Sequence, residues 1–307
     1  MDKIDKPEDK LFKKTFENIA ATRLFLKNFL PSPIRNSIDF EDMVIDNTVG
    51  VSTQFKENLA DIVIKTTIKT TTEERRNTDI YVLMEHKSYR DPKVLVQLLM
   101  YMVTMWQKDL NEKKPLRVII PLIFYHGKND WTVPATFAGQ FDVDDQIKEF
   151  LLDYKYIMFD TREWDMFDDS NREIRENVFL FSALALMKHT YNNDIAGIEA
   201  LFRYWYEKKF IQEKEQVIMF LMYISEIKDI APDQLKNLLE KSNIDGGDIM
   251  QTLAQRWKNE GRQEGRQEGR LEKKMEVAKN MLLNGIREDV VMKCTGLTKE
   301  EIRRLIN

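Results

Sequence analysis

At 307 residues, with 43% hydrophobic and 32% charged side chains, the chain can bury one large core with appendages or two domains. One cysteine, Cys294, excludes an intramolecular disulfide framework and fits a reducing compartment; Met1 to Lys6 carries charges where a signal peptide would need an apolar run, and no apolar run of about 18 residues occurs, so a cytoplasmic protein without a membrane segment is expected. Residues 251–307 hold 13 Lys and Arg against 9 Asp and Glu, a net of +4, which leaves −8 for the rest of a chain whose total is −4; a body so acidic weakens strong non-specific binding of nucleic acid, which depends on Lys and Arg at phosphates, and weak or locally focused DNA contact is expected.

Lys10 to Leu30 carries Phe12, Phe16, Ile19, Leu26 and Phe29 at helical spacing, with Asp9 as N-cap and Pro31-Ser32-Pro33 as stop. A strand over Met43 to Val51 follows. Leu59 to Lys65 and Ile80 to Met84 are further runs of strand formers, the second leading straight into Glu85-His86-Lys87, and polar Thr70 to Asn77 between them reads as a turn. Asp91-Pro92 opens the next helix, Asp at the cap and Pro in the first turn, where its missing N–H costs nothing. That helix runs to about Asn111 and is expected to bury Val94, Leu98, Tyr101, Met105 and Leu110. Leu116 to Tyr125 is too uniformly apolar for an edge strand and is expected inside a sheet, with a turn at His126-Gly127 after it.

From Asn171 the sequence is nearly all helical, with apolar stripes over Val178 to Met187, Ile198 to Tyr206, Val217 to Ile227 and Leu235 to Leu239. Residues 1–165 are therefore expected to form an α/β core, and residues 166–250 a helical domain. Glu260-Gly261-Arg262-Gln263 recurs as Glu264-Gly265-Arg266-Gln267 and, ending in Leu, as Glu268-Gly269-Arg270-Leu271. Alone, such a helix loses about 1 kcal/mol at each Gly relative to Ala and stacks like charges four residues apart. The Gly column lies between the Glu and Arg columns, so a second copy packed parallel, Gly face to Gly face, would set Glu against Arg on both flanks. Residues 251–275 are expected to be a dimerisation helix, pairing as a parallel homodimer through residues 256–275. In residues 276–307, Val277 to Leu283 and Asp289 to Cys294 read as short helices, Gly285 as a stop, and Thr298 to Glu301 as a capping box opening a third helix. This tail resembles a helix-turn-helix, but Glu300 and Glu301 would repel phosphates, so DNA reading and protein binding both stay open.

Chemistry gathers at the central hairpin. If its turn is centred near Glu73, Asp61 faces Glu85 with Cβ atoms about 5 Å apart, and Lys87, two residues on, shares their face. Two carboxylates that close repel unless a cation lies between them. Mg²⁺ or Mn²⁺ is the expected guest, because the donors are carboxylates and carbonyls without paired His or Cys. Lys87 would stabilise an attacking hydroxide or the charge growing on a phosphate. His86 points to the opposite face and reads as structural, with only its backbone carbonyl suited to join the metal. Three accessory candidates each have a plainer alternative: Asp9 as a cap, Gln97 as a solvated side chain, and His126 as a partner for backbone groups in its turn.

Asp61 followed by Glu85-His86-Lys87 is the pattern of PD-(D/E)XK nucleases. Asp9-Lys10-Leu11-Phe12-Lys13, Leu30-Pro31, Ala60-Asp61-Ile62, Met84-Glu85-His86-Lys87-Ser88 and Pro121-Leu122-Ile123-Phe124-Tyr125-His126-Gly127 occur in order. Together they resemble the recombination-promoting nuclease / putative transposase family of that superfamily, over roughly residues 7 to 290. The resemblance implies a restriction-endonuclease-like α/β core of helix-strand-strand-strand-helix-strand, the order read above, followed by an all-α region. Many relatives carry Gln where this chain has Lys87, and Lys87 matches the superfamily better. Cleavage of double-stranded DNA in recombination or mobile elements is implied by the resemblance; the residues alone imply phosphodiester hydrolysis, with Asp61, Glu85 and Lys87 catalytic. The alternative is a non-hydrolytic oligomeric scaffold or DNA-associated regulator on a nuclease fold.

Overall fold

The computed structural model describes residues 7–46, 62–68, 79–189, 195–228, 230–298 and 301–302. Its two compact units divide between Ile244 and Asp245.

The predicted first helix is two helices, α1 (Pro7–Phe16) and α2 (Ile19–Phe29). Asn18 breaks it: its side-chain oxygen accepts from the backbone N–H groups of Ala20 and Ala21 at 3.1 and 3.2 Å, which caps α2 and ends α1. Asp9 therefore lies inside the first turn of α1 and is not an N-cap. After the prolines come α3 (Ser32–Ser37) and a short β1 (Val44–Ile45); residues 47–51 of the expected strand lie outside the described residues.

Strands β2 (Ile62–Thr67), β3 (Asp79–Lys87), β4 (Val118–Tyr125) and β5 (Ile157–Asp160) complete a sheet of order β1-β2-β3-β4-β5. β2 and β3 are antiparallel, with Ile62 opposite Met84 and Thr67 opposite Asp79. That register is the one expected from the hairpin; its turn, Thr70 to Asn77, and the segment Leu59 to Asp61 lie outside the described residues. β4 runs parallel to both β3 and β5, an interior strand as its uniform apolar character predicts. Sequence reasoning missed β5, only four residues long.

Helix α4 (Val94–Asn111) makes the crossover from β3 to β4. Asp91, Pro92 and Lys93 form a turn ahead of it, held by the Lys93 N–H donating to Asp91 Oδ1 at 2.9 Å, so Asp91 is not the helix cap. Leu110 is 64% exposed, contrary to expectation, because the sheet-facing row Leu98, Tyr101, Met105 continues into Asp109. Asp109 is buried and accepts from Arg117 Nε at 2.8 Å, while the guanidinium lies 4.4 Å from the Tyr81 ring centroid. The Arg117 guanidinium hydrogen bonds hold the Asp109 carboxyl below the usual carboxylate range.

The two sheet faces differ. Toward α4, Tyr81, Leu83, Ile123 and Tyr125 pack with Val94, Leu95, Leu98 and Met105. Toward α1 and α2, Phe124 lies 5.2, 5.5, 5.8 and 5.1 Å from the rings of Phe12, Phe16, Phe25 and Phe159. Each fully buried Phe stabilises the fold by about 1.5–3 kcal/mol. Beyond the turn at Gly127, the Tyr125 hydroxyl donates to the Asn129 carbonyl at 2.6 Å, and a Cβ on Gly127 would overlap the Tyr125 ring.

A short α5 (Asp145–Lys148) precedes β5, and α6 (Arg172–Glu176), α7 (Val178–Lys188), α8 (Ile195–Glu207), α9 (Lys214–Lys228) and α10 (Pro232–Lys241) follow it. The four apolar stripes fall on α7 to α10 as expected. α1 packs against α7 and α9, so these helices belong to the same compact unit as the sheet.

The second unit holds α11 (Gly247–Leu283, 37 residues) and α12 (Glu288–Thr295). Val277 to Leu283 is the end of α11 and not a separate helix. Gly285 does stop it, at φ 76°, and Gly296 ends α12 at φ 69°, backbone conformations for which glycine is suited. The capping box is present: Thr298 N–H donates to Glu301 Oε2 at 2.7 Å, and Glu301 N–H donates to Thr298 Oγ1 at 3.3 Å. Ala278, Val291, Leu297 and Ile302 form the small core of this tail. Among the described residues, no helix is long and apolar enough to cross a membrane.

Candidate active site

β3 alternates. Tyr81 and Leu83 face α4, and Glu85 and Lys87 continue that row at the strand's C-terminal end. Glu85 is 3% and Lys87 7% exposed, although an apolar pair would suit a core there. Lys87 Nζ lies 3.0 Å from Glu85 Oε1 and 3.2 Å from Asp91 Oδ2. Gln97, in the first turn of α4, joins them: its Nε2 donates to Glu85 Oε1 at 2.7 Å and to the Tyr101 hydroxyl, and its Oε1 accepts from Lys87 Nζ at 2.8 Å. The amide is thereby oriented, donor side to the carboxylate and acceptor side to the ammonium.

Burial alone would lower the Lys87 pKa, but the Glu85 and Asp91 carboxylates outweigh it and hold the ammonium above its ordinary value. Lys87 is therefore a cation at neutral pH and unsuited to be a general base.

The structure brings Glu85, Lys87 and Gln97 together; Asp61 lies outside the described residues. Two further members went unread in the sequence: Asp91, taken for a cap, and Tyr101, taken for core. Their spacing carried a signal, since Gln97 and Tyr101 are four residues apart on one helix face.

The other two candidates lie behind β3. His86 is buried opposite Glu85 as expected, its Nδ1 2.8 Å from Asp9 Oδ1 and its Nε2 2.6 Å from His126 Nε2. Asp9 thus reaches an imidazole, and His126, 1% exposed, does not line the cleft of Glu85 and Lys87. Burial pushes the His126 imidazole well below its ordinary value, so it is neutral.

The oxygens that meet Lys87 Nζ, from Glu85, Asp91 and Gln97, are donors suited to a hard cation rather than a soft one. Among the described residues, no group of three His, Cys, Asp or Glu is arranged to hold a metal ion.

A mixed sheet with helices on both faces, and a buried acid and amine on one face of its central strand bridged by an amide from α4, fits an α/β protein of nuclease-like architecture. The chain belongs to the family described as putative transposase, YhgA-like, which matches residues 6–241, and residues 271–306 match the C-terminal helix-turn-helix domain of the Rpn/YhgA-like nuclease family. Among curated proteins, it is 25% identical to recombination-promoting nuclease RpnA of Escherichia coli (strain K12) over 300 residues, 96% of either chain. It is 24% identical over 304 residues, again 96% of each, to the inactive recombination-promoting nuclease-like protein RpnE of the same strain. Recombination-promoting nuclease RpnD of Escherichia coli O157:H7 is 29% identical over 125 residues, 39% of this chain and 45% of that protein. No solved structure matches.

Proposed function

We propose that this protein is a metal-dependent DNA endonuclease of the PD-(D/E)XK type, acting in recombination or on mobile elements. The observation that carries the reading is the buried Glu85 and Lys87 pair at the end of β3, bridged by the partly buried Gln97 of α4, a charged arrangement that core packing does not require. Asp61, Glu85 and the His86 backbone carbonyl hold Mg²⁺ or Mn²⁺, a set of hard oxygen donors. When bound, such an ion polarises the scissile phosphate and lowers the pKa of the attacking water. Lys87, a fixed ammonium, stabilises the charge that builds on the phosphate. Gln97 orients both Glu85 and Lys87, and Tyr101 orients Gln97.

Double-stranded DNA is the proposed substrate, and the helix-turn-helix tail is proposed to assist in binding it. A parallel homodimer through residues 256–275 would pair two such sites for a double-strand cut. In its support, among the described residues a Cβ built on Gly261, Gly265 or Gly269 meets no atom within 4 Å beyond its own stretch of helix, which leaves room for a second helix on the Gly face.

One observation favours the second reading, a non-hydrolytic oligomeric scaffold or DNA-associated regulator: RpnE, similar over 96% of the chain, carries the name inactive. Supercoiled plasmid incubated with the protein and Mg²⁺, Mn²⁺ or EDTA separates the two. Nicked or linear product with metal and none with EDTA supports the endonuclease; no product with either metal, from a protein that still retards DNA, supports the scaffold.

A further inference from the structure

Asp9, His86 and His126 form one hydrogen-bonded row behind the strand that carries Glu85 and Lys87. A carboxylate only accepts, so Asp9 takes the His86 Nδ1–H, and the Nε2 atoms of His86 and His126, 2.6 Å apart, share the next hydrogen bond of the row. The row is clamped. Phe12 stacks on His86 with centroids 4.8 Å apart, and the His126 ring lies within 18° of parallel to it. His126 also donates its backbone N–H to the Lys87 carbonyl at 3.1 Å. The segment Glu85 to Lys87 is therefore gripped at the His86 side chain and at the next carbonyl along.

The rings next to this row are Phe12 and Phe124, which pack in turn on Phe16, so the fold fills the same layer elsewhere with apolar rings. A polar row in such a layer is tolerated only with each link closed, and it loses more than an apolar core when one link is broken. Its position, directly behind the peptide whose carbonyl is a proposed ligand, gives a reason for keeping it.

We propose that Asp9, His86 and His126 are positioning residues for the divalent cation, holding the His86 carbonyl and the Glu85 carboxylate where the ion needs them. This rests on the metal-dependent reading of the front of β3. None of the three side chains touches phosphate or a reacting atom. Outer partners of this kind change metal affinity by about 10–100-fold when removed.

The test is the affinity of the full chain for Mn²⁺ alone, measured by titration calorimetry without DNA. Asp9→Asn keeps the shape and removes the charge; His126→Phe keeps the ring and removes the link. Phe16→Leu loosens the same layer without touching the row and serves as the control, with melting temperatures measured for all. We expect Mn²⁺ to bind about 10–100-fold more weakly to Asp9→Asn and His126→Phe, and with wild-type affinity to Phe16→Leu. Asp9→Glu should recover part of the loss. Unchanged affinity in Asp9→Asn and His126→Phe, or an equal loss in Phe16→Leu at similar melting temperature, overturns the positioning role while the metal site stands. Failure of the wild-type chain itself to bind Mn²⁺ overturns the metal-dependent reading, and this inference with it.

Discussion

The two faces of β3 divide labour between neighbouring residues. On the front, Glu85 and Lys87 bring a carboxylate and an ammonium 3.0 Å apart, tied together by one amide from α4. On the back, His86 is one residue away from each and sits among aromatic rings, joined to α1 and to the end of β4. The front can do chemistry because its groups are charged and oriented. The back holds: His86 and His126 are buried, and hydrogen bonds link them to each other and to the partly exposed Asp9. Strand alternation lets a fold place a reactive group and its support within a single peptide.

Five substitutions would break or sharpen this contrast. The largest effect is expected from the back: Phe124→Ala removes the ring at the centre of the aromatic layer and should destabilise by about 3–5 kcal/mol in urea denaturation, with any surviving folded protein still binding Mn²⁺. On the front, Glu85→Gln keeps the shape and the Gln97 contact but removes the charge; plasmid cleavage should fall by about 10³-fold or more, beyond the 10–100-fold of an outer partner. Stability should not rise, because the Lys87 ammonium keeps only Asp91 as its carboxylate among these contacts. Retained cleavage in Glu85→Gln would remove this residue from the mechanism. Lys87→Ala should cost about 10²-fold in rate with Mn²⁺ binding retained, and Lys87→Gln should keep part of the activity; a fully active Lys87→Ala beside a dead Lys87→Gln would contradict the role of the ammonium.

The smallest effect lies at the far end of the front face, where Arg117 depresses the pKa of Asp109. A depressed carboxylate contributes stability that is complete above its unfolded value, about 3.9, and is lost as pH falls through the folded one. The melting temperature of the wild type should therefore exceed that of Asp109→Asn at pH 7, and the gap should narrow below about pH 4. A gap independent of pH would mean that Asp109 acts by packing alone.

Much of the front was readable before the fold. A hairpin of period two fixes which residues share a face, so Ile62 opposite Met84 and His86 on the reverse followed from numbering. The back was not readable, because Asp9 and His86 are 77 positions apart and nothing local links an acid in a first helical turn to an imidazole in a strand. Asn18 was a legible cap that the periodic apolar positions on either side concealed. Gln97 was ambiguous for another reason: a polar residue in a helix is usually solvated, and only the crossover that lays α4 on β3 turns it inward. The four residues of β5 gave no periodic pattern to count.

The stretch Phe124-Tyr125-His126-Gly127 now separates into four mechanical duties. Phe124 centres the aromatic layer, Tyr125 closes the turn through Asn129, His126 ends the row from Asp9, and Gly127 leaves the volume that the Tyr125 ring occupies. Four adjacent letters thus answer to two neighbourhoods, Phe124 and His126 to the layer behind β3 and Tyr125 and Gly127 to the face toward α4, and no single change in one can compensate for a loss in the other. Such a stretch has little freedom to change.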